Sequence, residues 1–351
     1  MFQTFDPVSD RSFAGKHLPL LRAELNQQNL DGFIIPHDDE YQNEYVPAYA
    51  ERLMWASGFS GSAGAAVVLI NRAVVFTDGR YTLQVRQQVD DQFYEYADYA
   101  ETPIHKWLAQ NAPKGARIGY DPMLHASAGV KNLKTAAKTA GFELVAVAQN
   151  PVDAAWKDQP AAPLTPAEPH DIAYSGQSSE EKRKEIAAAI AAAGVDAALI
   201  TAPASIAWLL NIRGQDVART PLPLARAIIH KDATATLFMA REKASNALRV
   251  FLGDAVDIRA ETQLGPALEQ LGRDGAAVGV DPSLAPSKFA DDLAKAGARI
   301  VDMTDPCALP RAMKNETEID GARSAHVRDG AAVTRFLHWL ATEAQSGDVD
   351  E

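Results

Sequence analysis

Ile118-Gly119-Tyr120-Asp121-Pro122 and Val278-Gly279-Val280-Asp281-Pro282 are one pattern occurring twice: an apolar strand end interrupted by a glycine, then an Asp-Pro turn. Each leads into a helical stretch and then another strand, 142–147 in the first case and 299–303 in the second. Working outward, the flanks match as well. A helix over 18–29 precedes the strand Gly32-Phe33-Ile34-Ile35, and a helix over 179–193 precedes Ala197-Ala198-Leu199-Ile200. Both helices are followed by a short turn and an aspartate, Asp31 or Asp196. A Trp-centred segment follows each strand, around Trp55 and Trp208, and then a strand pair: AAVVLI with AVVFTD, ARAIIH with TATLFM. Four matches in one order point to a duplicated domain, because the period is far longer than a solenoid repeat. Strands alternating with helices predict an α/β fold in which each lobe is a mixed sheet flanked by helices. The equivalent segments, Trp55 and Trp208 among them, are expected to superpose.

Between the halves runs QPAAPLTPAEP, residues 159–169, whose prolines disfavour helix and sheet interior. It reads as an extended linker, which sets the expected domains at 1–158 and 170–309, with a third element from 310 to 351. In that element Asn315 and Glu318 form a variant capping box. The helix expected after it, 316–344, carries Ile319, Ala322, Val333, Leu337 and Leu340 near one face. Such a stripe needs a partner: either the second lobe, or a further domain of which this helix is the first element.

Composition narrows the function classes. A net charge of -12 and the lack of any basic run argue against nucleic acid and anionic membrane surfaces as partners. The start, MFQTFDPVSDRSF, has no apolar signal region, and no stretch reaches the length of a membrane span. One cysteine, Cys307, excludes an intrachain disulfide and fits a reducing compartment; its apolar surroundings read as packing rather than nucleophile chemistry.

No HExxH or CxxC is present, and the densest acidic cluster, His37-Asp38-Asp39-Glu40, reads as a solvated loop with no assigned role. Gly58-Phe59-Ser60-Gly61-Ser62-Ala63-Gly64 lacks the nucleophile-elbow pattern and runs into a strand, so it reads as a glycine-rich turn with close backbone approach. Arg80, in Thr77-Asp78-Gly79-Arg80-Tyr81, is delivered to a strand end by an Asp-Gly turn. It could clamp a carboxylate bidentately, or form a structural ion pair with Asp78 or Glu44.

EYVPAYAERLMWASGFSGSAGAAVV (44–68), VVFTDGRYTLQVRQQVD (74–90), NPVDAAWKDQP (150–160), SIAWLLNIRGQDVARTPLPLARAII (205–229) and AMKNETEIDGARSAHVRDGAAV (312–333) resemble Xaa-Pro aminopeptidases of the long, three-domain cytosolic type. The resemblance implies two creatinase N-terminal-type domains followed by the first helix of a pita-bread catalytic domain, with 314–329 as its opening. It implies a cytoplasmic homodimer acting on peptides with proline at the second position. It also implies two divalent metal ions, usually manganese, held by two Asp, one His and two Glu that would lie beyond Glu351, so residues 1–351 alone are expected to be inactive. Arg80 matches the TDGR arginine that such enzymes use in substrate binding. Two other readings stand beside this one: a non-catalytic peptide-binding module, and a creatinase-like amidinohydrolase, whose N-terminal part is a single lobe and so fits the duplication less well.

Overall fold

The computed structural model describes residues 9–347. The first lobe contains six strands: β1 (Gly32–Pro36), β2 (Gly64–Leu69), β3 (Ala73–Thr77), β4 (Glu95–Asp98), β5 (Arg117–Tyr120) and β6 (Glu143–Ala146). They lie in the order β4-β3-β2-β1-β5-β6. The β1–β2 and β2–β3 pairs are antiparallel and the others parallel. The second lobe contains β7 (Ala197–Ile200), β8 (Arg226–His230), β9 (Ala235–Met239), β10 (Val256–Ala260), β11 (Ala277–Val280) and β12 (Arg299–Asp302). Their order, β10-β9-β8-β7-β11-β12, and their pattern of directions repeat those of the first lobe. The duplication read from the sequence is therefore a duplication of topology.

Every residue of β1, β2, β3, β7 and β9 is buried, as expected of strands covered on both faces. On one face of the first sheet Leu18, Leu21, Leu25, Trp55 and Phe59 pack over Phe33, Ile35 and Val75. On the other face Trp107, Val130 and Leu133 pack over Ile34, Val67 and Phe76. The second sheet is sandwiched in the same way, by Ile186, Ile190 and Leu209 on one face and Leu268, Phe289 and Leu293 on the other.

The paired markers have paired roles. The Asp31 carboxylate accepts from the N–H of Arg117, the first residue of β5, and the Asp196 carboxylate accepts from the N–H of Ala277, the first residue of β11. Asp121 and Asp281 each accept from the N–H two residues on, closing the Asp-Pro turn. His17 stacks on Trp55 at 4.3 Å, and in the same place in the second lobe the Lys182 ammonium lies 4.7 Å over Trp208. Each of these side chains also contacts the backbone carbonyl of its Trp.

The repeated turns also join the lobes. Ala126 and Pro286 form an antiparallel bridge. The Ala128 N–H donates to Pro282 O at 2.8 Å, and the Lys288 N–H donates to Pro122 O at 3.1 Å. Because donors and acceptors exchange places between the copies, the contact has local twofold character.

Two expectations need correction. The first helix is Ser12–Gln27, not 18–29. Pro19 looks like a first-turn residue, but burial of Ala14 and Leu18 against the core carries the helix through it. The 37–40 loop is only partly solvated: Asp39 is fully buried, and its carboxylate accepts from the N–H groups of Tyr41 (2.9 Å) and Asn43 (3.0 Å) and from the Asn43 amide (2.9 Å). The last helix, Glu316–Thr342, carries the expected Asn315–Glu318 capping box. It meets the second lobe at its first turn, where the Asn315 amide donates to Ser175 O, but none of its side chains is buried. Val333, Phe336, Leu337 and Leu340 remain exposed, so the stripe does not pack back on the second lobe.

Candidate functional site

Three loops of the first lobe end on one side of its sheet. Pro36 at the end of β1 pairs with Ala65 of β2, Gly64 of β2 pairs with Thr77 of β3, and Thr77 pairs with Asp98 of β4. The 37–44 loop, the glycine-rich turn and the Asp78–Tyr81 turn therefore emerge together.

The glycine-rich segment is a packed turn, as its sequence suggests. Gly58 has φ +87 and caps the Arg52–Ser57 helix; a Cβ there would lie 2.9 Å from Gln88 O. A Cβ on Gly61 would lie 2.3 Å from Phe59 and 2.9 Å from Tyr81, whose rings meet edge to face. The Tyr81 hydroxyl accepts from the Ser62 N–H at 3.1 Å and shares a 2.9 Å hydrogen bond with Ser62 Oγ. Ser62 Oγ also reaches Glu44 at 3.4 Å. His37 ties the other end of that loop through Nε2 to Glu44 O at 2.8 Å.

Arg80 sits on this rim, 62% exposed, with its guanidinium 5.2 Å from the centre of the Tyr81 ring. Asp78 takes up the fork: Nε lies 3.1 Å from both carboxylate oxygens and Nη2 lies 2.8 Å from Oδ2. The Arg80 hydrogen bonds hold the Asp78 carboxyl below its ordinary range. Of the two readings of Arg80, the pair with Asp78 is the one seen here, in an exposed geometry that another carboxylate or carbonyl could enter by displacing Asp78.

Two buried arginines escaped the sequence reading. Arg52 binds Glu40 at 2.7 Å and Asp153 through two bonds of 2.7 and 3.0 Å. Arg226, on β8 of the second lobe, donates to Glu40 O at 2.9 Å and to Glu261, and lies 4.1 Å over the Tyr41 ring. The 37–44 loop thus stands between the lobes, held by a guanidinium from each. The one sequence signal was an arginine inside otherwise apolar segments, ARAIIH and ERLMW.

Cys307 is fully buried, and burial pushes its thiol up, which agrees with a packing role. Among the described residues no group of three or more His, Cys, Asp or Glu could hold a metal ion. The described residues do not supply a ligand set for the two ions that the resemblance implies. No helix among the described residues is long and apolar enough to cross a membrane.

Comparisons with known proteins follow this architecture. Residues 18–153 and 158–318 each match a family model described as the creatinase/prolidase N-terminal domain, and together these matches span most of the chain. A probable Xaa-Pro aminopeptidase P of Paracoccidioides brasiliensis (strain Pb03) is 33% identical over 345 residues, covering 93% of this chain and 55% of the relative. One from Coccidioides posadasii (strain C735) is 32% identical over 353 residues, covering 96% and 54%. The chain spans about half the length of the curated relatives it matches. Among solved structures, the X-prolyl aminopeptidase of Caenorhabditis elegans, a cytosolic enzyme with a di-nuclear active site, superposes with a TM-score of 0.88 at 26% identity. That match covers 95% of this chain and 57% of the other. The chain belongs to the creatinase/prolidase N-terminal domain family, carries two such domains in tandem, and is similar throughout to the N-terminal region of Xaa-Pro aminopeptidase P.

Proposed function

We propose that residues 1–351 supply the non-catalytic lobes of a metal-dependent Xaa-Pro aminopeptidase, which removes the residue preceding proline from the N-terminus of a peptide. In this reading 1–158 and 170–309 are the two lobes and 310–351 opens the catalytic domain. The supporting observation is similarity along almost the whole chain to proteins described as Xaa-Pro aminopeptidases P, in an alignment that takes in only about half of each relative. The exposed stripe of the Glu316–Thr342 helix is the surface on which the catalytic domain packs. The metal site, with two divalent ions and manganese as the expected species, is completed by sequence outside residues 1–351. The lobes shape the substrate entrance and assist a homodimer in the cytoplasm.

Arg80 is the substrate-binding residue in this reading. Its exposed fork at the loop rim holds the peptide beyond the scissile bond, through a backbone carbonyl or a terminal carboxylate, with Asp78 orienting it when no peptide is present. Reading the gene beyond codon 351 tests the assignment. Two Asp, one His and two Glu in the spacing of a pita-bread domain support it. An open reading frame that continues without such a set leaves a peptide-binding module instead.

A further inference from the structure

The two lobes share one plan, so each serves as the other's control, and they differ most at the carboxyl end of the first strand. After β7 the chain enters the Pro203–Leu210 helix within three residues. After β1 it runs through residues 37–51 before the Arg52–Ser57 helix begins. The register of β1 on β5 and of β7 on β11 aligns Asp121 with Asp281, so His125 stands where the second lobe has the fully buried Ala285. Tyr99, just past β4, stands where the second lobe has Glu261.

The longer connection opens a cavity of about 460 Å³ in the first lobe, lined among others by Ile34, Asp38, Tyr99, Ile104, His125 and Leu133. It lies beyond the carboxyl ends of the parallel neighbours β1 and β5. There the chain turns to β2 on one side and β6 on the other, which is where open α/β sheets place their ligands. The walls are largely apolar, and the polar groups are unevenly satisfied. Burial pushes the Asp38 carboxyl up, and its only hydrogen-bond donor among the described residues is its own N–H. Neighbouring His37 is turned away to Glu44 O. The half-buried Tyr99 hydroxyl is held unionised by burial and by Asp38 and Asp78, and it makes no hydrogen bond to another described residue. A largely desolvated carboxylate whose one donor is its own N–H is poorly compensated, and a cation bringing several N–H donors offsets that cost.

We propose that this cavity binds a small molecule carrying a primary ammonium on an apolar body, with the ammonium on the Asp38 carboxylate and the Tyr99 hydroxyl and the body among Ile34, Ile104 and Leu133. The site is independent of the peptidase reading, since it requires nothing outside the first lobe and the Ser283 edge of the second.

The test is calorimetric or NMR titration of the 1–351 chain with isoamylamine, and with 3-methylbutanol and 4-methylpentanoate as neutral and anionic counterparts. The amine should bind saturably, and the alcohol and the acid at least about 10-fold more weakly, because a charge-assisted hydrogen bond is worth roughly 10- to 100-fold. Asp38→Asn should weaken the amine by a similar factor. Gly129 lies on the cavity wall with open space where a Cβ would go, so Gly129→Phe should fill the site and abolish binding while leaving thermal unfolding intact. Equal binding of amine and alcohol, undiminished binding to either variant, or no saturable binding of the amine to the unmodified chain would overturn the proposal.

Discussion

Arg226→Ala removes the guanidinium that the second lobe places in the loop of the first. The side chain is 3% exposed. Its loss leaves Glu40 O without its donor, at a cost of about 1–1.5 kcal/mol. It also removes a cation lying 4.1 Å over Tyr41 in a dry setting, about 1–2 kcal/mol. Glu261 is 46% exposed and regains water when its partner goes, so that bridge counts for no more than about 0.5 kcal/mol. The sum is about 3 kcal/mol. For 351 residues unfolding together, an entropy of roughly 2.1 cal/mol/K per residue turns this into a Tm decrease of about 4 °C. Because the lost contacts join the lobes, calorimetry of Arg226→Ala should also broaden or split the transition. Urea titration and scanning calorimetry measure both effects. A loss below about 1 kcal/mol with a single sharp transition would refute the view that this arginine couples the lobes.

Three further outcomes are expected. In the complete enzyme, Arg80→Ala should lower kcat/KM by about 10- to 100-fold with metal content unchanged, and Arg80→Lys should recover only part of it, because an ammonium cannot reproduce the fork; wild-type kinetics would make Arg80 structural. Gly61→Ala should destabilise the first lobe by about 1–3 kcal/mol, since its Cβ has no room beside Phe59 and Tyr81, and an unchanged urea midpoint would contradict this. Burial holds His125 down to about 4, below the ordinary imidazole value, so between about pH 6.5 and 4 the unfolded chain takes up a proton that the folded one refuses, and stability falls as pH drops through that window. His125→Ala, the residue found at this place in the second lobe, should flatten that acid limb in urea titrations at pH 7 and 5; an unchanged slope would show that His125 is not responsible.

The duplication was legible because its markers do local work. Asp31 and Asp196 are fixed by the first N–H of the neighbouring strand, and Asp121 and Asp281 by their own turns, so the same residue type recurs at the same place. The helix at 316 was legible for the same reason, through its capping box. What was not legible depends on partners distant in the chain. The acidic run at 37–40 carries the composition of a solvated loop, and only the fold shows Asp39 buried on N–H groups of its own loop and Glu40 held through its carboxylate by Arg52 and through its carbonyl by Arg226. Pro19 reads locally as a helix start, and only packing of Ala14 and Leu18 shows that the helix begins earlier. At the rim, the Asp-Gly turn correctly delivered Arg80 to a strand end, but nothing local distinguishes a fork held by Asp78 from one awaiting a ligand.

The central claim is that these lobes serve a metallopeptidase whose catalytic residues lie elsewhere. The most direct measurement is release of the N-terminal residue from an Xaa-Pro-Xaa tripeptide with Mn²⁺, by purified residues 1–351 and by the protein extended through the codons that follow. The extended protein should release the residue, and 1–351 should not. Release by 1–351 that survives controls for contamination, or no release by the extended protein, would contradict the account.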